Sequence, residues 1–146
     1  MSPSEQVLAE SVYWGSATDD DLGEAKNDEQ FATKLTTWAN LSALNRMPDG
    51  ELNVSTHASE LNGEEHVAIT LANPGSRVAF FVRAEVTQGA DGEEILPITY
   101  DDNYITVFPH ETRTIEARFR KFDPGGATPG LRVEGYNVPK KILPVQ

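Results

Sequence analysis

From residue 51 onward, apolar side chains recur at every second position in short runs separated by turn residues, the period of half-buried β-strands. Leu52 and Val54 face inward in 51–58, and Val67, Ile69 and Leu71 share one face of 66–72. The longest run, 77–87, lines Val78, Phe80, Val82, Ala84 and Val86 on one face and Arg83, Glu85 and Thr87 on the other, with Phe81 pointing among the polar set. Two apolar runs, 95–100 and 104–108, flank the polar triplet Asp101-Asp102-Asn103. Strict alternation returns in 112–120 through Ile115, Ala117 and Phe119, and 131–138 closes a count of about seven strands. Runs spaced in this way predict an all-β, immunoglobulin-like sandwich of antiparallel strands over 51–138.

The turn signals are chemically specific. Asn62-Gly63 suits a two-residue type I′ hairpin, where both central positions need positive φ. Pro74-Gly75 suits the centre of a type II turn, and Asp91-Gly92 marks another reversal. Pro97 inside an apolar run argues for an edge position or a bulge. Residues 123–130, rich in Gly and Pro, read as a long loop.

Before Gly50 the period changes. Phe31, Leu35, Trp38, Leu41 and Leu44 recur every three or four residues, so a helix over 30–47 would turn one apolar stripe to the core, and Pro48-Asp49-Gly50 would stop it. Thr36, Thr37, Asn40, Ser42 and Asn45 oppose a helix because their side chains hydrogen-bond locally, which leaves an irregular strap as the alternative. The acidic segment 18–29 reads as an exposed loop, and Val12-Tyr13-Trp14 as a short lone strand. Residues 1–11 are expected to form a disordered tail and 139–146 a loose one.

Charge narrows the partners. Twelve basic against twenty-three acidic residues give a net charge of −11, which opposes binding to phosphate backbones or anionic lipid, so neither nucleic acid nor membrane is expected as a partner. No apolar run is long enough to cross a bilayer, and 1–10 has neither the basic start nor the apolar core of a signal peptide. A signal upstream in a longer, secreted parent stays open. With no cysteine there is neither a disulfide nor a thiolate nucleophile. Asp19-Asp20-Asp21 lacks the alternate spacing of a calcium loop, and no Gly-x-Ser-x-Gly elbow is present. A metal site would require His57 and His66 to face each other beside an acid; none is expected, nor any cofactor.

Several segments carry a family resemblance. Ile95-Leu96-Pro97, Asp102-Asn103-Tyr104 and Pro109-His110-Glu111 resemble the Leu-Pro … Asp-Asn-Tyr … Pro-Gly-Glu signature of the C-terminal immunoglobulin-like module of family-2 glycoside hydrolases, in the exo-β-glucosaminidase and mannosylglycoprotein endo-β-mannosidase group. Val78-Ala79-Phe80-Phe81-Val82-Arg83 is similar to that module's long strand, Ala39-Asn40-Leu41-Ser42-Ala43-Leu44-Asn45 to its lead-in, Val12-Tyr13-Trp14 to its opening, and Val133-Glu134-Gly135-Tyr136-Asn137-Val138 to its close. His110, Asn40 and Tyr136 depart from the Gly, Asp and Trp usual there.

The resemblance implies that 12–50 is a lead-in strap packed on the sandwich, and that catalysis belongs to a separate barrel of the parent. The carboxylates agree, because a retaining glycosidase holds two carboxyl groups about 5–5.5 Å apart across a cleft, whereas Asp101 and Asp102 are neighbours in a turn and should accept backbone N–H groups. The chain is therefore expected to be a non-catalytic accessory domain that docks on the parent's other domains. Tyr13, Trp14, Trp38 and Phe81 are its candidate interface, and Pro97, Asp102, Asn103, Tyr104 and Pro109 form a structural corner. The alternative is a carbohydrate-binding module that presents aromatic platforms to an oligosaccharide.

Overall fold

The computed structural model describes residues 10–22, 35–120 and 128–146. The chain divides into two compact units, 1–47 and 48–146.

In the first unit the expected helix contracts to a single 3-10 stretch, Ser42–Arg46. The polar residues explain why. Asp20 Oδ1 accepts the Ala39 N–H at 2.8 Å, Ser16 Oγ accepts the Asn40 N–H at 2.9 Å, and Asn40 Oδ1 accepts the Ser42 N–H at 3.0 Å. Backbone donors taken by side chains in this way are lost to a helix. A lone bridge joins Asp21 to Thr37, with the Thr36 N–H on the Asp21 carbonyl at 2.8 Å. Within the expected apolar stripe Leu35, Trp38 and Leu41 are exposed and Leu44 is half-buried, and Val12-Tyr13-Trp14 forms no strand. Phe31 and most of the acidic run lie outside the described residues, as does much of the loop expected over 123–130.

Among the described residues the second unit is a sandwich of eight strands: β1 Asn53–Leu61, β2 Glu64–Ala72, β3 Ala79–Thr87, β4 Ile98–Tyr100, β5 Ile105–Val107, β6 Thr112–Arg120, β7 Gly130–Gly135 and β8 Val138–Pro144. One sheet runs β1-β2-β6-β4 and the other β5-β3-β7-β8, with every pairing antiparallel. Inward residues of both sheets form the core. Val67, Ile69 and Leu71 of β2 lie beside Ile115 and Ala117 of β6, and Val82, Ala84 and Val86 of β3 beside Leu131 and Val133 of β7, all essentially inaccessible to solvent. Each of the valine, leucine and isoleucine side chains among them contributes roughly 1.5–3 kcal/mol relative to exposure.

Local chemistry sets the β1–β2 hairpin. Asn62 and Gly63 take φ of 55° and 80°, the two positive values a type I′ turn demands, and the register runs from Leu61 opposite Glu64 to Asn53 opposite Ala72.

Three expectations need correction. Gly75 is not at positive φ, so 73–76 is no type II turn; Asn73 Oδ1 instead accepts the Gly75 N–H at 3.0 Å and bends the chain as an Asx turn. The alternation in β3 changes parity at Phe81, which sits at φ 55° where the pairing with β5 shifts register between Ala79 and Val82. A bulge inserts one residue, so Ala79 is buried in place of Val78 and Phe80. The tail beyond Pro139 is strand β8, hydrogen-bonded to β7 along its length. Being an edge strand, β8 tolerates Pro139 and Pro144 without losing a ladder of its own.

Past β8 the chain crosses to the other sheet. The Val145 N–H bonds to the Pro129 carbonyl at 2.9 Å, and the Gln146 carbonyl accepts the Ala58 N–H of β1 at 2.7 Å.

Candidate functional site

Strands β4 and β5 follow each other in sequence but belong to different sheets, so 101–104 carries the chain from one layer to the other. This crossover holds the densest set of polar groups singled out in the sequence. Asp101 continues the β4–β6 pairing: its N–H bonds to the Glu116 carbonyl at 3.0 Å and its Oδ1 accepts the Glu116 N–H at 2.8 Å. Asp102 Oδ1 accepts the N–H of Asn103 at 2.8 Å. Asn103 does for the other sheet what Asp101 does for the first. Its Oδ1 accepts the Ala84 N–H at 2.9 Å and its Nδ2 donates to the Ala84 carbonyl at 2.8 Å, so a side-chain amide extends the edge of β3 where β5 has not yet begun.

Two further groups complete that edge. The Tyr100 hydroxyl accepts the Val86 N–H at 2.9 Å and donates to Glu94 Oε1 at 3.2 Å, and the Ile95 N–H reaches the Val86 carbonyl at 3.0 Å. Burial pushes the Tyr100 phenol well above its usual range, and the Glu94 carboxylate adds to the shift, against the opposing pull of the Val86 N–H.

On the opposite side of β3, where β7 stops, Asn137 takes over. Its Oδ1 accepts the Phe80 N–H at 2.8 Å, and its Nδ2 donates to the carbonyls of Val78 at 2.8 Å and Pro48 at 2.9 Å. A second buried amide, Asn73, donates to the carbonyls of Arg77 at 2.7 Å and Val107 at 3.0 Å. The turn containing Pro109 and His110 is tied to the same residue through His110 N–H to the Asn73 carbonyl at 2.9 Å. His110 adopts φ 63°, and Glu111 Oε2 accepts the Phe108 N–H at 2.8 Å. Pro97, preceded by a cis peptide bond, ends just before β4, an edge strand.

Asn73 and Asn137 were not singled out from sequence. Asn immediately before Pro-Gly is an Asx-turn signal that would have drawn attention to Asn73. Asn137 carries no comparable local mark, because its partners are supplied by residues far away in sequence.

Charged groups form a second cluster. Glu85, 5% exposed, lies between Arg83 at 2.9 Å and Arg132 at 2.5 Å. Arg132 also reaches Asp91 at 2.9 Å, and Lys140 lies 3.2 Å from the same carboxylate. Hydrogen bonds from Arg132 and then Lys140 hold the Asp91 carboxyl below its ordinary value, and the bonds to Glu85 and Asp91 raise Arg132 further above the usual arginine range. A carboxylate engaged on both sides by guanidinium groups serves as a tie between β3 and β7.

His57 stands opposite Ala68, while His66 stands opposite Ser59 on one side and Arg118 on the other. Among the described residues no group of three His, Cys, Asp or Glu side chains is placed to hold a metal ion. The candidate interface aromatics are accessible: Tyr13 and Trp38 strongly, Trp14 and Phe81 partly. Phe81 does not stand alone. Its ring lies 5.1 Å from Tyr104 and 5.9 Å from Phe80, which is itself 5.9 Å from Tyr136.

Two antiparallel sheets face to face define an immunoglobulin-like sandwich. Comparison with known proteins is specific. The chain belongs to the exo-β-D-glucosaminidase Ig-fold domain family, whose model matches residues 30–138. It is 30% identical over 138 residues to an exo-β-D-glucosaminidase of Arthroderma benhamiae, covering 94% of this chain and 15% of that protein. A mannosylglycoprotein endo-β-mannosidase of Lilium longiflorum is 38% identical over 69 residues, covering 43% of this chain and 7% of that protein. The crystal structure of the Amycolatopsis orientalis exo-chitosanase superposes with a TM-score of 0.73 at 27% identity, covering 91% of this chain and 16% of that one. The chain thus spans about 15% of the length of the glucosaminidase it matches.

Proposed function

We propose that the chain is an accessory sandwich of a retaining, family-2 glycoside hydrolase acting on β-linked glucosamine, where it docks on the catalytic barrel and stabilises it. The observation that carries this reading is the pattern of coverage: nearly the whole chain aligns with a glucosaminidase, yet it accounts for only 15% of that protein. A domain whose polar groups are spent on its own backbone contributes through its surface. Tyr13, Trp14 and Trp38 of the first unit and, separately, Phe81 of the second offer exposed rings for such contacts, since aromatic side chains are enriched at contact cores. The corner formed by Pro97, Asp102, Asn103, Tyr104 and Pro109 keeps the sandwich rigid enough to act as a brace.

The test is the full reading frame that contains this sequence. Expressed whole, the barrel should unfold several degrees above a version from which 48–146 has been deleted, with kcat on a chromogenic β-glucosaminide retained at low temperature. Equal melting temperatures with and without the sandwich would overturn the reading.

A further inference from the structure

Tyr136, Phe80, Phe81 and Tyr104 form one continuous row of rings that runs from the β7–β8 turn across β3 to the start of β5, with centroid spacings of 5.9, 5.9 and 5.1 Å. Three of the four are half exposed: Phe81 at 52%, Tyr104 at 50% and Tyr136 at 53%. The backbone is bent out of its ordinary range to achieve this. Phe81 and Tyr104 hold φ of 55° and 54°, a region that bulky side chains rarely enter. The bulge at Phe81 turns its ring away from the core and against Tyr104, and Tyr104 is itself fixed by its N–H bond to Asn103 Oδ1 at 3.0 Å. Two neighbouring residues are thus strained together, and the product is an exposed pair of rings that adds nothing to the buried core. Strain of this kind collects where a surface has a task.

The shape of the row selects the partner. Successive rings are inclined by 69°, 40° and 41°, which gives a ridged surface rather than the flat platform on which a sugar ring stacks. The neighbouring charges Arg83, Glu85 and Glu94 are already paired with one another and form a polar border two residues along β3. An apolar ridge with a satisfied polar border has the anatomy of a protein contact. The relatives supply the occupant: in the glucosaminidases the matched segment is 14–15% of the polypeptide, so most of the protein is other domains of the same chain.

We infer that the row Tyr136–Phe80–Phe81–Tyr104 is the face by which this sandwich docks on an apolar patch of its parent's catalytic domain. The inference rests on the accessory-domain reading and names its surface. Phe81→Asn combined with Tyr104→Asn tests it, because Asn removes both rings yet is among the residues that best tolerate positive φ. In the isolated chain, 1–146, the double variant should melt at or above the wild-type temperature. In the full-length protein it should detach the sandwich, read as amide exchange at 79–82 and 103–105 rising at least tenfold toward the isolated-chain rate, with the barrel's melting temperature falling to that of the 48–146 deletion.

A drop in the isolated chain's melting temperature would show that the rings serve internal packing, and would overturn the inference. If deletion of 48–146 destabilises the barrel while the double variant does not, docking occurs elsewhere: this surface fails and the accessory reading survives. If deletion has no effect, both fail. Saturable binding of a chitosan oligosaccharide to wild-type chain, lost in the double variant, would make the row a sugar site and also overturn the inference.

Discussion

The side-chain amide of Asn103 pairs with the backbone of Ala84 as a neighbouring strand would, accepting its N–H at 2.9 Å and donating to its carbonyl at 2.8 Å. Ala84 is fully buried, so neither group has water to turn to if the amide is lost. Asn103→Ala should therefore lower unfolding stability by about 2–4 kcal/mol, the desolvation cost of a donor and an acceptor left without partners. Asn103→Asp keeps the acceptor, loses the donor and sets a carboxylate against a carbonyl, so it should be no better tolerated. Urea denaturation of the chain measures both; a loss below about 0.5 kcal/mol for the alanine variant would show that the crossover is not a structural tie.

Asn137→Ala should be at least as damaging, at about 3 kcal/mol, since its amide serves Phe80, Val78 and Pro48 from a position only 6% exposed. Because Asn103 and Asn137 act on opposite sides of β3 without a shared partner, their effects should add within about 0.5 kcal/mol in the double variant.

Tyr100 predicts an alkaline limit. Its folded pKa lies above the unfolded value of 10.0, so its contribution is fully present below pH 10 and is lost as the pH rises beyond that value. Among the four tyrosines, one phenol should resist ionisation until the chain unfolds, visible as a delayed step in phenolate absorbance. Tyr100→Phe should remove that step and destabilise the fold at neutral pH by about 1–3 kcal/mol, because the Val86 N–H loses its acceptor.

Asp91 sets an acid dependence of opposite sign. Its folded pKa lies below the ordinary 3.8, so what it contributes is present above that value and disappears as the pH falls through the folded pKa. The stability difference between wild type and Asp91→Asn should be constant from pH 5 to 8 and close to zero well below pH 3. A difference that persists in strong acid would show that the bonds to Arg132 and Lys140 do not depend on the carboxylate charge.

His110→Gly should stabilise the chain slightly, by less than about 1 kcal/mol: relief of the positive φ of 63° is partly offset by the greater freedom of glycine when unfolded. A melting temperature lowered by several degrees would assign the imidazole a contact of its own.

What could be read in advance was what the chain decides locally. Asn62-Gly63 dictates its own turn, and the inward faces of β2 and β6 follow from alternation alone. The parity change at Phe81 was hidden because Phe80 and Phe81 are both apolar, so the pattern 78–82 fits either register; only pairing with β5 decides between them. Strand β8 was hidden by Pro139 and the two lysines that follow, which look like the end of a domain yet are what an edge strand carries. The stripe before Gly50 misled in the other direction, since its period is helical while its threonines and asparagines bind the backbone they would have to release. The crossover was visible as a cluster of polar residues. That its asparagine replaces a strand could not be seen, because Ala84 lies nineteen positions away.

The crossing of residues 145–146 onto β1 bears on solubility. β1 is the outermost strand of its sheet, and an open edge invites the same edge of a second molecule to pair with it. The Gln146 carbonyl already occupies the Ala58 N–H, and the Gln146 N–H bonds to Thr56 Oγ1 at 3.0 Å, so the middle of that edge is taken from within the chain. Two residues thereby act as a guard against edge-to-edge aggregation, and a version trimmed at Pro144 would lose the buried Val145 side chain together with this guard and gain a tendency to form sheet-linked oligomers.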